Sequence, residues 1–506
     1  RRVARRVAII GAGPGGICTG VSLLERGHHD FVILEQAAGI GGTWFHNRYP
    51  GAECDIKSHL YSFSFAPNPA WSCRYARQPE IKAYLEDVVD RFGLTPHLRL
   101  STTVRRARWD DDAAVWHVTV ANADGTEETL DAEIVVSAIG MFGAPVQPDI
   151  PGLDRFQGTM FHSAQWADDH DLTGESVAVI GSAASAVQLV PEIAPIVRSL
   201  AVYQRTPNWV SPKEDDPYSE EELAEFAADP GRVDAVRDEI FTGIDPNLTF
   251  ADPDRRALAE QAGRHNIGKV DDPALRDLLT PEMPFGCKRP LASNVYYPTF
   301  NLPHVELVTE PIVEITETGI VTADGRTRDV DTIILATGFA TTKFLAALDV
   351  VGRDGLDIDD AWADGAQAFL GITTAGFPNL FMLYGPNTNN GSIIYMIECQ
   401  VDYVMKMLDA MDDHDLAWVD VKRDVMDEYN DALQRTLDGV EVWQAGCNGY
   451  YRVGSRIVTQ WPGSMSEYRA RTEHPDLDDF EVASSPRRSL PLTPSPTAGR
   501  AKPAPA

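Results

Sequence analysis

The sequence predicts an α/β chain built from two Rossmann-like dinucleotide-binding domains, the second interrupted by a helical insertion. Two glycine turns and one shift in composition predict it. The first turn is Gly11-Ala12-Gly13-Pro14-Gly15-Gly16 and the second is Gly181-Ser182-Ala183-Ala184-Ser185-Ala186. Each follows a short apolar run and precedes a stretch with helical apolar spacing, which is the order of a βαβ unit. From residue 213 to 283 the chain becomes charged and helical in pattern, with no strand-like runs.

Val7 to Ile10 reads as a buried strand, and Gly15 to Arg26 as a helix with an apolar face at Ile17, Val21 and Leu24. Phe31 to Leu34 is the next strand, ending in Glu35. Gln78 to Arg91 reads as a helix. Thr102 to Thr129 alternates like an antiparallel meander, with turn signals at Asp110-Asp111-Asp112 and Asp124-Gly125. Glu133 to Gly140 is a buried strand returning to the first sheet. In the second unit Ser176 to Ile180, Ala183 to Ile196 and Leu200 to Gln204 form strand, helix and strand, and Asp331 to Phe339 closes it. The expected organisation is a first nucleotide domain in two parts, 1–145 and 340–483. A second domain occupies 146–212 and 284–339, the insertion 213–283, and a Pro-, Ser- and Ala-rich disordered tail 484–506.

The chain has 506 residues and a formal net charge of −31, an ordinary 43% of hydrophobic and 24% of charged residues. So acidic a surface repels phosphate backbones and anionic lipid, so neither nucleic acid nor a membrane is an expected partner. Cys18, Cys54, Cys73, Cys287, Cys399 and Cys447 are scattered and form no Cys-x-x-Cys pair, so neither a zinc ribbon nor a dithiol motif is present and no metal site is expected. Scattered thiols fit a reducing cytosol, and a cytoplasmic location is expected. The basic start leads into an apolar run too short for a signal peptide, and no run reaches the roughly 20 residues needed to span a bilayer.

Each glycine of the first turn has a separate task. Gly11 permits the bend, Gly13 lets a pyrophosphate approach the backbone, and Gly16 lets the helix pack closely on the strand. Glu35, at a strand end, can accept hydrogen bonds from ribose hydroxyls, and an acid there disfavours a 2′-phosphate. The first site therefore suits FAD or NAD. The second turn keeps Gly181, Ser182 and Ser185 but has Ala183 and Ala186 where glycines are usual, and Ala183 crowds the pyrophosphate. Arg205-Thr206 follows its second strand, and a cation with a hydroxyl there fits the 2′-phosphate of NADPH.

Between the two units lies Phe156-Gln157-Gly158-Thr159-Met160-Phe161-His162-Ser163-Ala164-Gln165-Trp166. With this cassette the chain resembles the class B flavoprotein monooxygenases, and within them the Baeyer–Villiger type. Their pattern Phe-x-Gly-x-x-x-His-x-x-x-Trp is met at Phe156, Gly158, His162 and Trp166, and the following Ala167 departs from it. A second stretch that resembles the family runs from Gly42-Thr43-Trp44 through Tyr49-Pro50-Gly51 to Asp55, and a third is Pro284-Phe285-Gly286-Cys287-Lys288-Arg289-Pro290. The resemblance covers roughly residues 7 to 482. It implies that NADPH reduces FAD, that oxygen adds at flavin C4a, and that the peroxide attacks a ketone to give an ester or lactone. Such an anion needs a fixed cation and exclusion of water. The resemblance gives Arg289 that role, has Asp55 orient it, and sends Lys288 with Arg205 to the 2′-phosphate. It makes Ala336-Thr337-Gly338 a turn between domains and sets Gly385-Pro386-Asn387 near the flavin. It makes His162 and Trp166 parts of the domain linker. Tyr450-Tyr451-Arg452 and Trp461-Pro462-Gly463 match a C-terminal pattern of ketone-oxidising members, many of which carry Trp where Tyr450 stands.

An N- or S-oxidising flavin monooxygenase is the alternative within the class, and Trp166 points away from it. A disulfide reductase would need paired cysteines, and a non-catalytic flavin redox sensor would not need the Asp55 and Arg289 motifs. The expected partners are a small ketone and O2, with the chain a monomer or homodimer. Residues 213–283 and 440–455 are expected to shape the substrate pocket.

Overall fold

The computed structural model describes residues 5–345, 348–444 and 451–484. Two five-stranded parallel sheets carry the fold. The first runs in the order Leu380–Met382, Ile134–Ser137, Val7–Ile10, Phe31–Leu34, Leu98–Arg99. The second runs Val305–Val308, Ser199–Tyr203, Ser176–Ile180, Thr332–Leu335, Thr159–His162. Their central strands are apolar at nearly every position because helices and the meander cover both faces. Helix Pro14–Glu25 crosses from the first strand to its neighbour, and helix Ala184–Ile193 does the same in the second sheet. The second helix ends before Ile196, with Pro191 inside it. The strand after the meander ends at Ser137 rather than Gly140, where a positive φ turns the chain out of the sheet.

The meander forms as Thr103–Asp110, Val115–Ala121 and Glu127–Ala132, with Asp349–Val351 added along its edge. Trp116 is fully buried, and its indole N–H donates to the Pro378 carbonyl at 2.8 Å, tying the meander to the returning segment. Helix Ile393–Asp413 packs on Pro14–Glu25 through a buried stripe that includes Val401, Val404 and Leu408. Strand Phe480–Ser484 pairs with Leu416–Val421, so Ser484 closes a sheet rather than opening a tail; residues 485–506 lie outside the described residues.

The cassette is more than linker. Thr159–His162 is the edge strand of the second sheet, and Gly158 is required because a Cβ there would lie 2.6 Å from the Phe156 ring. His162 receives the Ala164 N–H on Nδ1, and Nε2 sits 3.2 Å from the Gly338 carbonyl, which fixes the Nε2–H tautomer as the donor. The two domain crossings, 144–146 and 338–340, run side by side through Val146 N–H to Gly338 O and Ala340 N–H to Ala144 O. His162 thus braces the crossing. Burial lowers its pKa, which keeps the ring neutral for that task.

The insertion holds four helices, Glu220–Ala228, Pro230–Ile244, Pro253–Ile267 and Pro273–Leu279. Ser219 and Glu222 close a capping box on the first, and Asp229, Asp252 and Asp272 cap the other three, each just before a proline in the first turn. Phe226 and Val233 join the core of the first domain, while Ile267 and Leu279 join that of the second. The insertion leaves and re-enters through a two-stranded parallel ribbon, Val210–Ser211 beside Leu291–Ala292. Cys18, Cys54, Cys73 and Cys399 are free thiols, whereas Cys287 is disulfide-bonded, which the scattered spacing did not predict. Among the described residues no helix is long and apolar enough to cross a membrane, and no cluster of His, Cys, Asp or Glu could hold a metal ion.

Candidate active site

Both glycine turns open into one cavity of about 1300 Å³. In the first, Gly11 has φ +105° and a Cβ there would lie 2.6 Å from the Ala138 carbonyl oxygen. Gly16 does not line the cavity; a Cβ would overlap the Gly11 carbonyl, so this glycine serves helix packing. Gly13 is different. It has φ −79°, open to any residue, and a Cβ would find nothing nearer than the Gly42 Cα at 3.5 Å. The chain itself does not require glycine there, so the requirement falls on what enters the cavity. Glu35, buried, accepts the Ala12 and Ala37 N–H groups at 2.8 Å, one on each oxygen. It braces the turn while facing the cavity. Gly41 and Gly42, both at positive φ, lead into the short helix Thr43–His46, and the Gly41 N–H donates to Ala12 O. Trp44 donates its indole N–H to the buried Tyr61 hydroxyl at 3.1 Å.

In the second turn Gly181 has φ +126°, and Ala183 takes the place of Gly13 with nearly the same backbone, φ −94° and ψ −161°. Ser182, Ala183 and Ser185 line the cavity, and Asn208 holds the turn by donating to the Ser182 carbonyl at 3.1 Å. Arg205, Thr206 and Lys288 meet at its outer end, where the Lys288 ammonium donates to the Thr206 hydroxyl. Burial and then the neighbouring Arg205 charge lower the Lys288 pKa. Among the described residues neither cation has a carboxylate partner, a donor set that suits a dianionic phosphate. Ala336, Thr337 and Gly338 border the same cleft; the Thr337 hydroxyl donates to Val146 O at 2.5 Å.

Where the two clefts meet, Arg289 directs Nε and a terminal N–H to the same Asp55 oxygen at 3.0 and 2.5 Å. Both side chains remain about one-third exposed to the cavity. Beside them Cys54 is buried, and burial pushes its thiol up, so it adds no charge. Met141, Phe142, Phe344, Leu348, Ile393 and Tyr451 add apolar and aromatic surface to the wall, which elsewhere carries polar and charged side chains such as Arg105, Asp149 and Glu310.

Two expectations need correction. Asn387 does not line the cavity; its amide donates to the Ile457 and Gln460 carbonyls at 2.8 and 3.0 Å and holds the C-terminal segment in place. No residue of 213–283 lines the cavity either, because the insertion helices spend their apolar faces on the two domain cores. Of 440–455, Tyr451 reaches it, and Tyr450 lies outside the described residues. Residues that the sequence reading missed stitch the clefts together. Tyr49 donates to Gln188 Oε1 at 2.8 Å, and Gln188 Nε2 donates to the Glu53 carbonyl at 3.0 Å, joining the Tyr49–Asp55 segment to the second domain's helix. A glutamine in a helix otherwise apolar between Ser185 and Glu192 was the available signal.

Two nucleotide clefts that share one chamber, with a guanidinium at their junction, define a dinucleotide-dependent oxidoreductase. Residues 8–251 match the family described as pyridine nucleotide-disulphide oxidoreductase. Cys54 is the one cysteine lining the cavity among the described residues. A Baeyer-Villiger monooxygenase of Pseudomonas aeruginosa is 42% identical over 493 residues, 96% of this chain and 93% of that protein. The crystal structure of OTEMO in complex with FAD and NADP superposes with a TM-score of 0.85 at 28% identity, covering 96% of this chain and 100% of that one. The structure of cyclohexanone monooxygenase from Rhodococcus sp. Phi1 bound to NADP+ does so with a TM-score of 0.85 at 31% identity, over the same shares. The chain belongs to the Baeyer–Villiger monooxygenases.

Proposed function

We propose that this chain inserts one atom of O2 beside the carbonyl of an apolar ketone, giving an ester or lactone, with FAD in the first cleft and NADPH in the second. The observation that carries the reading is the Arg289–Asp55 pair standing where the two clefts meet. Gly13, without a side chain, lets a pyrophosphate approach the turn's backbone, and Glu35 disfavours a 2′-phosphate in that cleft. Arg205, Thr206 and Lys288 hold the 2′-phosphate in the other. Bound FAD, once reduced by NADPH, supplies the activation of O2. Arg289 stays charged at any working pH and stabilises negative charge on oxygen near it, while Asp55 holds the guanidinium fork in one orientation. Met141, Phe142, Phe344 and Ile393 exclude water and receive the apolar body of the ketone.

The same reading has the enzyme act on a small molecule and O2 in the cytoplasm, as a monomer or homodimer. The intact Asp55 and Arg289 pair and the phosphate-binding set disfavour a flavin sensor without turnover. The holoenzyme is incubated with NADPH and ¹⁸O₂ against linear, cyclic and terpenoid ketones and thioethers, and the label is located by mass spectrometry. One labelled oxygen in an ester or lactone is expected. Label in sulfoxide alone, or none in any product, overturns the reading.

A further inference from the structure

Asp55 is not the only acid on its segment that grips the chain flanking the two-stranded ribbon. Two residues earlier, the Glu53 carboxylate pairs with the Lys213 ammonium, whose side chain is only 5% exposed. The ammonium also lies 5.0 Å above the centre of the Tyr75 ring and 3.8 Å from Asp215. The two cations ride on the ribbon through which the insertion leaves and re-enters. Val210 and Ser211 pair with Leu291 and Ala292, Lys213 follows the first strand by two residues, and Arg289 precedes the second by two. Asn294 extends the pairing: its side-chain oxygen receives the Lys213 N–H at 3.2 Å, and its amide donates to the Lys213 carbonyl at 2.7 Å. Asn266, fully buried, donates to the Val210 and Ser293 carbonyls and so locks both strands together. The acidic side is equally fixed, because Glu53 is bridged to Arg77 and held by Gln188. The result is a ribbon clamped twice onto one segment, at Asp55 by Arg289 and at Glu53 by Lys213.

We propose that the Glu53–Lys213 pair is a positioning device for Arg289: it sets the ribbon against the Tyr49–Asp55 segment and thereby aims the guanidinium into the cavity. This rests on the role given to Arg289 above. The Asp55–Arg289 contact is about one-third exposed, whereas the Lys213 side chain is buried, so the second clamp is the better shielded of the two. A displacement of about 1 Å at a reacting group costs up to about 100-fold, and the ribbon connects the two clamps with few residues between them.

The test uses the flavin-loaded enzyme and measures four quantities: flavin content, anaerobic flavin reduction by NADPH, ester formed and hydrogen peroxide released per NADPH consumed. In Glu53→Gln the first two are expected to stay within about twofold, while peroxide per ester rises about tenfold. The neutral pair Glu53→Gln/Lys213→Met, which leaves no buried unpaired charge, is expected to show the same uncoupling and carries the test should the single variant fold poorly. Lys213→Arg restores at least half of the parent ester yield. In an Arg289→Ala background, Glu53→Gln should change the peroxide share no further. A role in stability alone would instead lower flavin content and reduction rate and leave the product ratio intact. Parent-like coupling in the neutral pair overturns the inference. If Arg289→Ala itself makes ester at the parent rate, it is the reading of Arg289 that fails.

Discussion

Gly13→Ala separates what the chain needs from what its ligand needs. The new methyl would lie 3.5 Å from the Gly42 Cα, an ordinary contact, and the backbone at φ −79° and ψ −170° accepts alanine. The chain already holds Ala183 in almost that conformation at the second turn. The protein should therefore fold with a melting temperature lowered by less than about 3 °C, the cost of a poorer helix N-cap. The methyl occupies the space through which a pyrophosphate reaches the turn. Overpacking of that kind costs about 1–3 kcal/mol, or about 5- to 150-fold in affinity for FAD. Gly16→Ala is the control, because its Cβ would overlap the Gly11 carbonyl oxygen and come within 3.0 Å of the carbonyl carbon, forcing helix from strand and lowering stability by about 3 kcal/mol. The assay is flavin absorbance per protein after purification, titration of the apoprotein with FAD, and thermal melts of the apoproteins. Equal FAD affinity in Gly13→Ala and the parent would refute the reasoning, as would equal destabilisation by the two substitutions.

Arg289→Ala should still be reduced by NADPH but release hydrogen peroxide in place of ester; normal ester yield from labelled oxygen contradicts the role given to it. Lys288→Ala removes a charge-assisted contact to the 2′-phosphate, so KM for NADPH should rise about 10- to 150-fold with KM for NADH unchanged, and a parallel rise in both would place Lys288 elsewhere. Ala183→Gly should lower KM for NADPH about fivefold; an unchanged value in steady-state kinetics means that the methyl does not crowd the ligand. Burial pushes the Asp420 carboxyl up to about 6 despite the Gly376 N–H and Arg353. A folded value above the unfolded one means that this stabilisation is complete below pH 4 and is lost as pH rises through 6, about 3 kcal/mol in all. Melting temperatures taken from pH 4 to 7 should fall more steeply in the parent than in Asp420→Asn, and parallel curves contradict this.

The parts legible in the sequence were those in which one short segment fixes its own geometry. Gly11, expected to permit the bend, and Gly181 have positive φ at their strand ends, and the helical pattern of 213–283 forms helices. Arg205 and Lys288 were each readable as cations expected at the second cleft because each stands in its own motif. Their meeting is a fact of the ribbon that brings residue 288 back to the second domain. What stayed hidden joins distant residues: Tyr49 to Gln188, and Glu53 to Lys213, where an acid and a base 160 positions apart carry no pattern in the chain. Asn387 shows the opposite error. Its motif points to the cavity, yet its backbone at φ +58° turns the amide toward the carbonyls of 457 and 460. The Thr159–His162 strand escaped notice because an edge strand of four residues has too few positions to show a period.

On the proposed assignment the two clefts grip by different physics, and the difference follows from one methyl and three polar side chains. At the first turn, Gly13 and Gly42 lie close together, a Cβ on either one meeting the other's Cα at 3.5 or 3.0 Å, and the Gly41 N–H bonds Ala12 O, so a loop folds over the turn. Close approach to N–H groups at a helix start is short-ranged and little affected by salt. On the proposed reading, Ala183 crowds the same approach at the second turn, and the binding strength moves outward to Arg205, Thr206 and Lys288 at the cleft's end. Charge acting on an accessible phosphate weakens with ionic strength, and it releases its ligand readily. Such a division suits an enzyme that keeps one dinucleotide for its lifetime and exchanges the other with each turnover. The alanine that departs from the glycine fingerprint is thus consistent with a cleft built for traffic, and the retained glycine with one built for residence.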